Sequence, residues 1–327
     1  MNSLFLQNMD FKLHFNVPAS AVKISYRDKF VLMGSCFAEN MAAKFDAYKL
    51  NSLVNSHGIL FNPTSIRKAL QDTLTKKEYT AKDIFYFNEC WHSWGHHGVF
   101  SDPSQENCLN KINTSIEKAN VHLKDAQWLF ITFGSAFAYR HQHNNEPVAN
   151  CHKVPQREFE KILLNKDELK NDYLKLIDAF KTFNPKLHIV FTVSPVRYVR
   201  DGLIENNLSK SVLIQLVHEL CMEKNCLYFP AYELVMDELR DYRFYEKDLV
   251  HPNSLAIDYV WEKFRETFFS EETKNIYTQL EELKKACEHR PFHSDTASYK
   301  KFRSQVLSRV QELHLKYPFL GFSQFES

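Results

Sequence analysis

The segment FVLMGSCFA, residues 30–38, joins a run of four apolar residues to a turn of small residues. An uninterrupted apolar run of this length is typical of a strand that is buried on both faces of a sheet. Beyond the turn, apolar residues recur at the spacing of a helix face, at Ala38, Met41, Ala42 and Phe45. The segment therefore predicts a buried strand, a sharp turn at Gly34 and a helix, which is the repeating unit of α/β proteins.

Further apolar runs predict more buried strands, and each is followed by a turn residue. They cover residues 128–133, 187–193 and 226–229, with a weaker strand at 52–54. The segments between them have helical periodicity, at residues 159–180, 208–220 and 257–268, the last with Asn253 or Ser254 as N-cap. This alternation predicts a three-layer α/β/α sandwich with a mostly parallel, doubly wound sheet. Its functional site is expected at the carboxyl ends of the strands.

The domain organisation follows from length and from the character of the tail. The 327 residues suffice for one large domain or two modest ones, and we expect residues 1–270 to form the main domain. Residues 271–327 are rich in charge and keep a helical apolar phase, at Ile276, Leu280 and Leu283. The tail carries no chemical motif, so we expect a helical C-terminal extension that packs on the main domain.

Composition excludes several classes of protein. The 41 Lys and Arg residues nearly balance the 40 Asp and Glu residues and form no basic stripe, so no nucleic acid partner is expected. The seven cysteines are an odd number without a CxxC pair, which indicates free thiols in a reducing compartment. The sequence shows neither a signal-peptide pattern nor an apolar run of roughly 18 residues. We therefore expect a soluble cytoplasmic protein without a membrane partner.

The turn at residues 34–36 is the first candidate site. A nucleophile at Ser35 or Cys36 would lie at the carboxyl end of a strand and the amino end of a helix. Free N–H groups and the helix dipole at that position favour a thiolate or an oxyanion. Gly34 lets the backbone turn without a side-chain clash. The same residues would also suit a buried turn of small residues without any chemistry.

The second candidate site is the sequence Asp248-Leu249-Val250-His251, directly before the last helix of the main domain. An Asp three residues before a His can hold the far ring nitrogen, which fixes the tautomer and stabilises the imidazolium. The alternative is a solvated Asp beside a His that caps a helix. Together with a nucleophile at residues 34–36, the pair would complete a catalytic triad.

A third cluster surrounds His92 and His96, which have the i, i+4 spacing of two metal ligands on a helix. Two Trp and two Gly in the same segment argue against a helix. A metal site, a loop that binds substrate and a purely structural loop are all compatible with this pattern, and we assign neither a metal nor a cofactor. Arg197, after the strand at 187–193, could bind a carboxylate or a phosphate, or form an ordinary surface ion pair.

The five residues GSCFA at 34–38 are the signature of the GSCFA domain family, and the chain resembles this family over roughly residues 20–270. Further family-like stretches are HGILFNP at 57–63, WHSW at 91–94, TFGSA at 132–136 and TVSPVR at 192–197. The family in turn resembles the SGNH, or GDSL-like, hydrolase superfamily. The resemblance implies the SGNH fold and a site for acyl-ester chemistry.

The resemblance also implies a role for each residue of a triad. SGNH enzymes have Gly-Asp-Ser at the nucleophile turn, which places Ser35 at the position of the Asp and Cys36 at that of the nucleophilic Ser. We favour Cys36 as the nucleophile, because its register places the side chain at the start of the helix, and keep Ser35 as the alternative. A thiolate paired with His251 is a competent acyl nucleophile. Asp248 and His251 match the Asp–His pair of the superfamily.

The oxyanion-binding groups are implied with less complete agreement. The backbone N–H of Cys36 is expected to be one oxyanion donor, and Gly58 matches the second oxyanion donor of the superfamily through its backbone N–H. The third block, Gly-x-Asn-Asp, lacks its Asn in this chain, so Ser135 or a backbone N–H after Gly134 would have to substitute for it. Loss of one such donor costs about a hundredfold to a thousandfold in turnover.

We therefore expect an acyl-ester hydrolase of the esterase or deacetylase type that acts on a small-molecule or carbohydrate ester. His57, His92 and Arg197 are expected to bind substrate beside the oxyanion groups. One alternative is an O-acyltransferase that passes the acyl group to a sugar hydroxyl. Another is a non-catalytic binding protein on a decayed hydrolase scaffold, which the missing Asn favours. A metal-dependent enzyme that uses His92 and His96 is the third.

Overall fold

One parallel sheet and two small antiparallel sheets contain the strands of the structure, a computed structural model that describes residues 12–143, 145–289, 293 and 295–321. In chain order the strands are β1 (Lys29–Gly34), β2 (Asn51–Val54), β3 (Phe85–Phe87), β4 (Cys90–His92), β5 (Trp128–Phe133), β6 (Phe137–His141), β7 (Glu146–Val148), β8 (Phe159–Leu163), β9 (His188–Val193) and β10 (Leu227–Tyr228). The helices are α1 (Cys36–Ala47), α2 (Pro63–Thr75), α3 (Gln105–Asp125), α4 (Lys166–Phe183), α5 (Leu203–Lys224), α6 (Ala231–Glu233), α7 (Ser254–Phe268), α8 (Glu271–Glu288) and α9 (Ala297–Lys316).

The central sheet has the strand order β10-β9-β5-β1-β2, and neighbouring strands are parallel throughout. The chain builds β1 and β2 first, then crosses back to place β5, β9 and β10 on the other side of β1. This is a doubly wound order, and its direction reverses between β1 and β5. Side chains at that point of the sheet have room to form a site at the carboxyl ends of the strands.

Helices cover both faces of the sheet. Successive side chains of β1 point to opposite faces, so they are buried in two different cores. Phe30 and Leu32 are buried in a core that also contains residues of α1 and α7, whereas Val31 and Met33 face a core formed with α2 to α5. The α/β class and the three-layer arrangement predicted from the sequence are confirmed.

The C-terminal helices α8 and α9 contribute to the same core as α1 and α7. Ile276, Leu280 and Leu283 of α8 are buried there, as the helical phase of the tail predicts, together with Val306 and Val310 of α9. The predicted helical C-terminal region is confirmed. No helix within the described ranges is both long enough and apolar enough to cross a bilayer.

One predicted helix begins later than expected, and the two small sheets were not predicted. Residues 159–163, assigned to a helix from their apolar spacing, form β8, which pairs antiparallel with β6. The helix α4 begins only at Lys166, because the Asn165 side chain caps it by accepting the N–H groups of Asp167 and Glu168. Of the two predicted N-cap candidates of α7, Asn253 caps the helix by accepting the Ala256 N–H.

Candidate active site

The turn between β1 and α1 is held in place by its neighbours on both sides. Gly34 has φ +146°, and a Cβ on it would clash with the carbonyl oxygen of Thr132 in β5, so only glycine fits. Its N–H donates to Oδ1 of Asn55, in the loop after β2, over 2.8 Å. Ser35 is the N-cap residue and Cys36 begins α1. Strand and helix therefore meet at the residues that the sequence selected as the nucleophile turn.

We expect the Gly34→Ala variant to lose about 3 kcal/mol of unfolding free energy or to fail to fold, because it combines backbone strain with a clash against a neighbouring strand. Gly98→Ala is the matched control, because nothing lies within 4 Å of a Cβ at that position. Its unfolding free energy should stay within about 0.5 kcal/mol of wild type. Urea titration measures both, and equal stability of the two variants would contradict the argument.

The loops after β2, β1 and β5 come together at the carboxyl edge of the sheet. The N–H groups of Gly134 and Ser135 both donate to the carbonyl oxygen of Phe61, over 2.8 and 3.1 Å. A Cβ on Gly134 would lie 3.4 Å from the Cβ of Ser35. The segments that contain Gly34, Gly58 and Gly134 therefore meet at the same edge.

The two candidate nucleophiles differ in access and in electrostatics. Ser35 is 0% exposed, and its Oγ has no hydrogen-bond partner among the described residues, whereas Cys36 is half-buried. Burial raises the pKa of the Cys36 thiol, while the N–H groups of Phe37 and of Cys36 itself lower it. Access therefore favours Cys36, and the helix end by itself does not hold the sulfur as a thiolate.

Asp248 and His251 form the predicted pair. Nδ1 of His251 donates to Oδ2 of Asp248 over 2.7 Å, with the tautomer assigned from this carboxylate partner. Oδ1 of Asp248 accepts the N–H groups of Val250 and His251, over 2.9 and 3.0 Å. The His251 N–H, the His251 ring and the Val250 N–H lower the pKa of Asp248 to about 2. The carboxylate thus stays ionised, and Nε2 of His251 makes no hydrogen bond to the described part of the chain.

Arg197 connects this loop to the carboxyl end of β9. Its backbone N–H donates to the carbonyl oxygen of Val250 over 3.3 Å, and its guanidinium reaches the carbonyl oxygen of Leu249 at 3.4 Å. The guanidinium carbon also lies 4.2 Å from the centre of the Tyr245 ring. Within the described ranges Arg197 has no carboxylate partner, so a surface ion pair does not explain it.

The structure does not join the two halves of the predicted triad by a direct contact. Among the described residues, no hydrogen bond links His251 to Ser35 or Cys36. The Asp248–His251 loop contacts the segment after β9, and the Cys36 turn follows β1, two strands away in the sheet. That Cys36 and the Asp248–His251 pair act in the same reaction therefore stays a prediction, which concerns the complex with bound substrate.

Two of the three predicted oxyanion donors, Gly58 and Ser135, make hydrogen bonds within the fold. The Gly58 N–H donates to the carbonyl oxygen of Asn55 over 2.7 Å, inside a tight turn. The Ser135 Oγ accepts the Phe137 N–H over 3.0 Å and lies 3.3 Å from Oγ of Ser209. As folded, the backbone N–H groups of Gly58 and Ser135 are not free to donate to an oxyanion, since the Ser135 N–H donates to the carbonyl oxygen of Phe61. The N–H groups of Cys36 and Phe37, at the start of α1, are the donors that lie at the turn itself.

In the cluster around His92 and His96, the ring of His92 is bound within the fold. His92 lies in β4, and both of its ring nitrogens are engaged, Nδ1 with Oγ of Ser101 at 2.6 Å and Nε2 with the carbonyl oxygen of Phe87 at 2.9 Å. His92 and His96 do not lie on a helix, so the spacing argument for a metal pair was wrong. Within the described ranges, no three His, Cys, Asp or Glu side chains come together as a metal-binding group.

His57 was expected to bind substrate, but it lies in the protein interior. It is fully buried, and its ring stacks on the His96 ring with centroids 4.4 Å apart. Its Nδ1 lies 3.1 Å from Oγ of Ser56, and its Nε2 has no partner in the described part of the chain. Burial lowers the pKa of His57 to about 3, so the ring is neutral in the folded protein.

We expect His57 to make the folded protein sensitive to acid. Its pKa is about 3 when folded against an ordinary 6.5, so the unfolded chain binds this proton first as the pH falls. The free energy of unfolding therefore falls below pH 6.5, by at most about 1.4 kcal/mol per pH unit for one imidazole. Urea titrations at pH 7 and pH 5 should show a smaller loss for His57→Phe than for wild type. Equal losses would contradict this origin.

Lys210 is a functional candidate that the sequence analysis missed. It lies in α5 and is 2% exposed, and its Nζ donates to the carbonyl oxygens of Gly134 at 2.7 Å and Ser194 at 2.6 Å. Burial lowers the pKa of Lys210 to about 7, and the charge of Cys36 opposes this. The sequence did indicate that Lys210 is buried. It lies on the apolar face of α5, at helical spacing from the buried Leu213, Val217 and Leu220.

A cavity of about 550 Å³ lies beside Lys210 and Arg197. Its walls also contain Tyr232, Tyr242 and Tyr245, so they offer aromatic faces together with hydroxyl and cationic groups. This volume is within the range of small-molecule binding sites. The cavity gives the edge of the sheet room for a ligand next to the Asp248–His251 loop.

Comparison with known proteins identifies the family. Residues 29–264 match the GSCFA family. The chain belongs to the GSCFA family. A second match, over residues 280–325, is to the C-terminal domain of GSCFA domain proteins. No curated protein matches the sequence.

The chain shows limited similarity to several solved structures. One is a protein described as a GDSL-like lipase from Parabacteroides merdae, at 13% identity and TM-score 0.40, covering 76% of this chain and 98% of that chain. Another is a variant of an acetyl-xylooligosaccharide esterase from Geobacillus stearothermophilus, at 12% identity and TM-score 0.38, covering 75% and 96%. A third is a carbohydrate esterase of family 3 from Talaromyces cellulolyticus, at 8% identity and TM-score 0.33, covering 78% and 99%.

Proposed function

We propose that this GSCFA protein is an acyl-ester hydrolase with Cys36 as nucleophile and the Asp248–His251 pair as its acid–base group. The observation that carries the proposal is the geometry of that pair, in which an ionised carboxylate holds Nδ1 of the imidazole over 2.7 Å. Such an imidazole presents Nε2 in the state that can accept a proton and return it. The half-buried thiol of Cys36, at the amino end of α1, supplies a nucleophile at the same edge of the sheet.

In the proposed reaction His251 takes the proton of the Cys36 thiol as the sulfur attacks the ester carbonyl, and His251 then returns that proton to the leaving alcohol. The product is an acyl-thioester on Cys36. His251 then accepts a proton from water as the water attacks the thioester. The C–S bond breaks, the acid is released, and His251 returns the proton to the Cys36 sulfur. The N–H groups of Cys36 and Phe37 would stabilise the oxyanion in both steps. Ser35 is the weaker nucleophile candidate, since its Oγ is buried.

Transfer of the acyl group to another alcohol is the second candidate function. The cavity of about 550 Å³ beside Arg197 favours it, because tyrosine faces and polar groups suit a carbohydrate hydroxyl acceptor. The thioester on Cys36 would then be attacked by that hydroxyl in place of water. Both reactions share the acyl-enzyme, so a test for this intermediate addresses them together.

The test is to trap the acyl group on Cys36. After brief mixing with p-nitrophenyl acetate and acid quenching, we expect mass spectrometry to find one acetyl group on the peptide that contains Cys36. Cys90 is the internal control, because it is also half-buried but lies in β4, outside the turn. Acetyl on Ser35 would reassign the nucleophile. A protein that is never acetylated at either residue would instead be the binding protein on a decayed scaffold.

A further inference from the structure

The guanidinium of Arg197 is held in place without a paired negative charge. It reaches the carbonyl oxygen of Leu249 at 3.4 Å, and its carbon lies 4.2 Å from the centre of the Tyr245 ring. A guanidinium has five N–H donors, and within the described ranges only the Leu249 oxygen accepts from this one. The side chain therefore has a fixed position and open donors, which is the state of a group that awaits an anionic ligand.

Lys210 is a second cation without a carboxylate partner. It is 2% exposed, and within the described residues no Asp or Glu pairs with it. Burying an ammonium without a counter-charge costs several kcal/mol. The carbonyl oxygens of Gly134 and Ser194 accept two of its three N–H groups, so one donor remains. A structural role leaves both the charge and this donor unexplained.

The two cations line the same cavity, of about 550 Å³, and its acidic residues lie at the mouth. Asp237, Asp241 and Arg240 also line it, but all three are exposed. Oδ2 of Asp241 is already paired with Arg243 at 3.3 Å. Among the described lining residues, the inner part of the cavity therefore has two positive charges and no carboxylate. Such an arrangement favours an anion over a neutral or cationic ligand.

Tyrosine rings lie beside both cations. The Tyr232 ring is 5.9 Å from Nζ of Lys210, and the Tyr245 ring is the one that stacks on Arg197. A ligand ring can pack on such faces while its anionic group accepts hydrogen bonds from the cations. The cavity thus suits a small ring compound that carries an acidic group.

We propose that this cavity binds a small molecule with a carboxylate or phosphate group, whose oxygens accept the open N–H groups of Arg197 and Lys210. The inference rests on the proposed function for the place of this ligand in the reaction. The Arg197 N–H donates to the carbonyl oxygen of Val250, inside the Asp248–His251 loop, so the bound ligand lies beside the proposed acid–base pair. The alcohol that loses or accepts the acyl group would then carry the acidic group.

The test is calorimetric titration of the wild-type protein with glucose 6-phosphate, glucuronate and glucose. Burial lowers the pKa of Lys210 to about 7, so the titration is done at pH 6, where this side chain is an ammonium ion. We expect at least one of the two anionic sugars to bind about tenfold more tightly than glucose. The tighter of the two identifies the group as phosphate or carboxylate. Equal affinity for all three sugars, or no binding of any, would overturn the proposal.

Two variants test the cations themselves. Arg197→Gln and Lys210→Met should each lower the affinity for the preferred anionic sugar about tenfold or more. Lys224→Met should bind it like wild type, because Lys224 ends the same helix as Lys210 and pairs with Asp178 at the surface. Arg197 is only half-buried, so its variant keeps the test decisive if Lys210→Met does not fold. Wild-type affinity in either folded variant would contradict the assignment.

This inference and the proposed function fail separately, because binding needs no ester turnover. Selective anion binding by a protein that is never acetylated at Cys36 would overturn the proposed function and leave the anion site standing. Acetylation of Cys36 in a protein that does not prefer anionic sugars would overturn the anion site and leave the proposed function standing.

Discussion

Replacing Cys36 by alanine is expected to lower the hydrolysis of p-nitrophenyl acetate by at least about a thousandfold. Without the sulfur no acyl-enzyme forms, and the remaining N–H groups and the imidazole can only assist direct attack by water. The thiol is half-buried at the first turn of α1, where its removal leaves a small gap near the surface. Stability should therefore change little, and the loss of activity is chemical.

Two other variants make this result specific. Cys90→Ala removes a half-buried thiol from β4 and should retain the wild-type rate of hydrolysis. Ser35→Ala removes a buried hydroxyl that has no partner within the described part of the chain, and should also retain most of the rate. Loss of activity in Ser35→Ala with full activity in Cys36→Ala would reverse the assignment of the nucleophile. Steady-state rates, with unfolding curves for each variant, provide the comparison.

The layers of the fold could be predicted because each depends on a local pattern. The apolar runs at residues 30–33 and 128–133 are long and uninterrupted, and only a strand covered on both faces buries them fully. The segment at 159–163 shows the limit of such patterns. Its apolar residues suit a helix equally well, and the strand β8 forms because β6 is there to pair with it. Pairing between distant segments does not appear in the local sequence.

The site could be predicted in part for a related reason. The Asp248–His251 bond depends on residues three apart, so spacing alone was enough to anticipate the contact over 2.7 Å. The engagement of the Gly58 N–H by Asn55 and the burial of His57 depend on how whole loops pack. Lys210 was missed because a lysine in a helix usually extends its charged end into solvent. Its place in the apolar phase of α5 indicates burial, and the carbonyl groups that follow β5 and β9 show what its ammonium binds there.

The second large effect is expected for Asp248→Asn, which should lower turnover about a hundredfold to ten-thousandfold. The asparagine carbonyl can still accept the N–H groups of Val250 and His251, so the loop should keep its shape. Its amide would then face Nδ1 of His251 as a donor, which places the imidazole proton on Nε2. The ring would be held in the tautomer that cannot accept a proton from the reacting groups.

The surface pair of Asp178 and Lys224 provides the control for charge. Asp178→Asn removes a carboxylate from an exposed ion pair on α4, and it should leave turnover unchanged. If Asp178→Asn and Asp248→Asn lowered activity equally, the effect of Asp248 would be one of net charge and not of tautomer.

The double variant Asp248→Asn/His251→Ala decides whether the pair acts as one unit. If Asp248 works only through His251, the double variant should be no slower than His251→Ala alone, because the imidazole that the carboxylate orients is already gone. Losses that multiply would mean that Asp248 contacts the substrate or the Cys36 turn by itself. The single bond of 2.7 Å between the two side chains leads us to expect complete non-additivity.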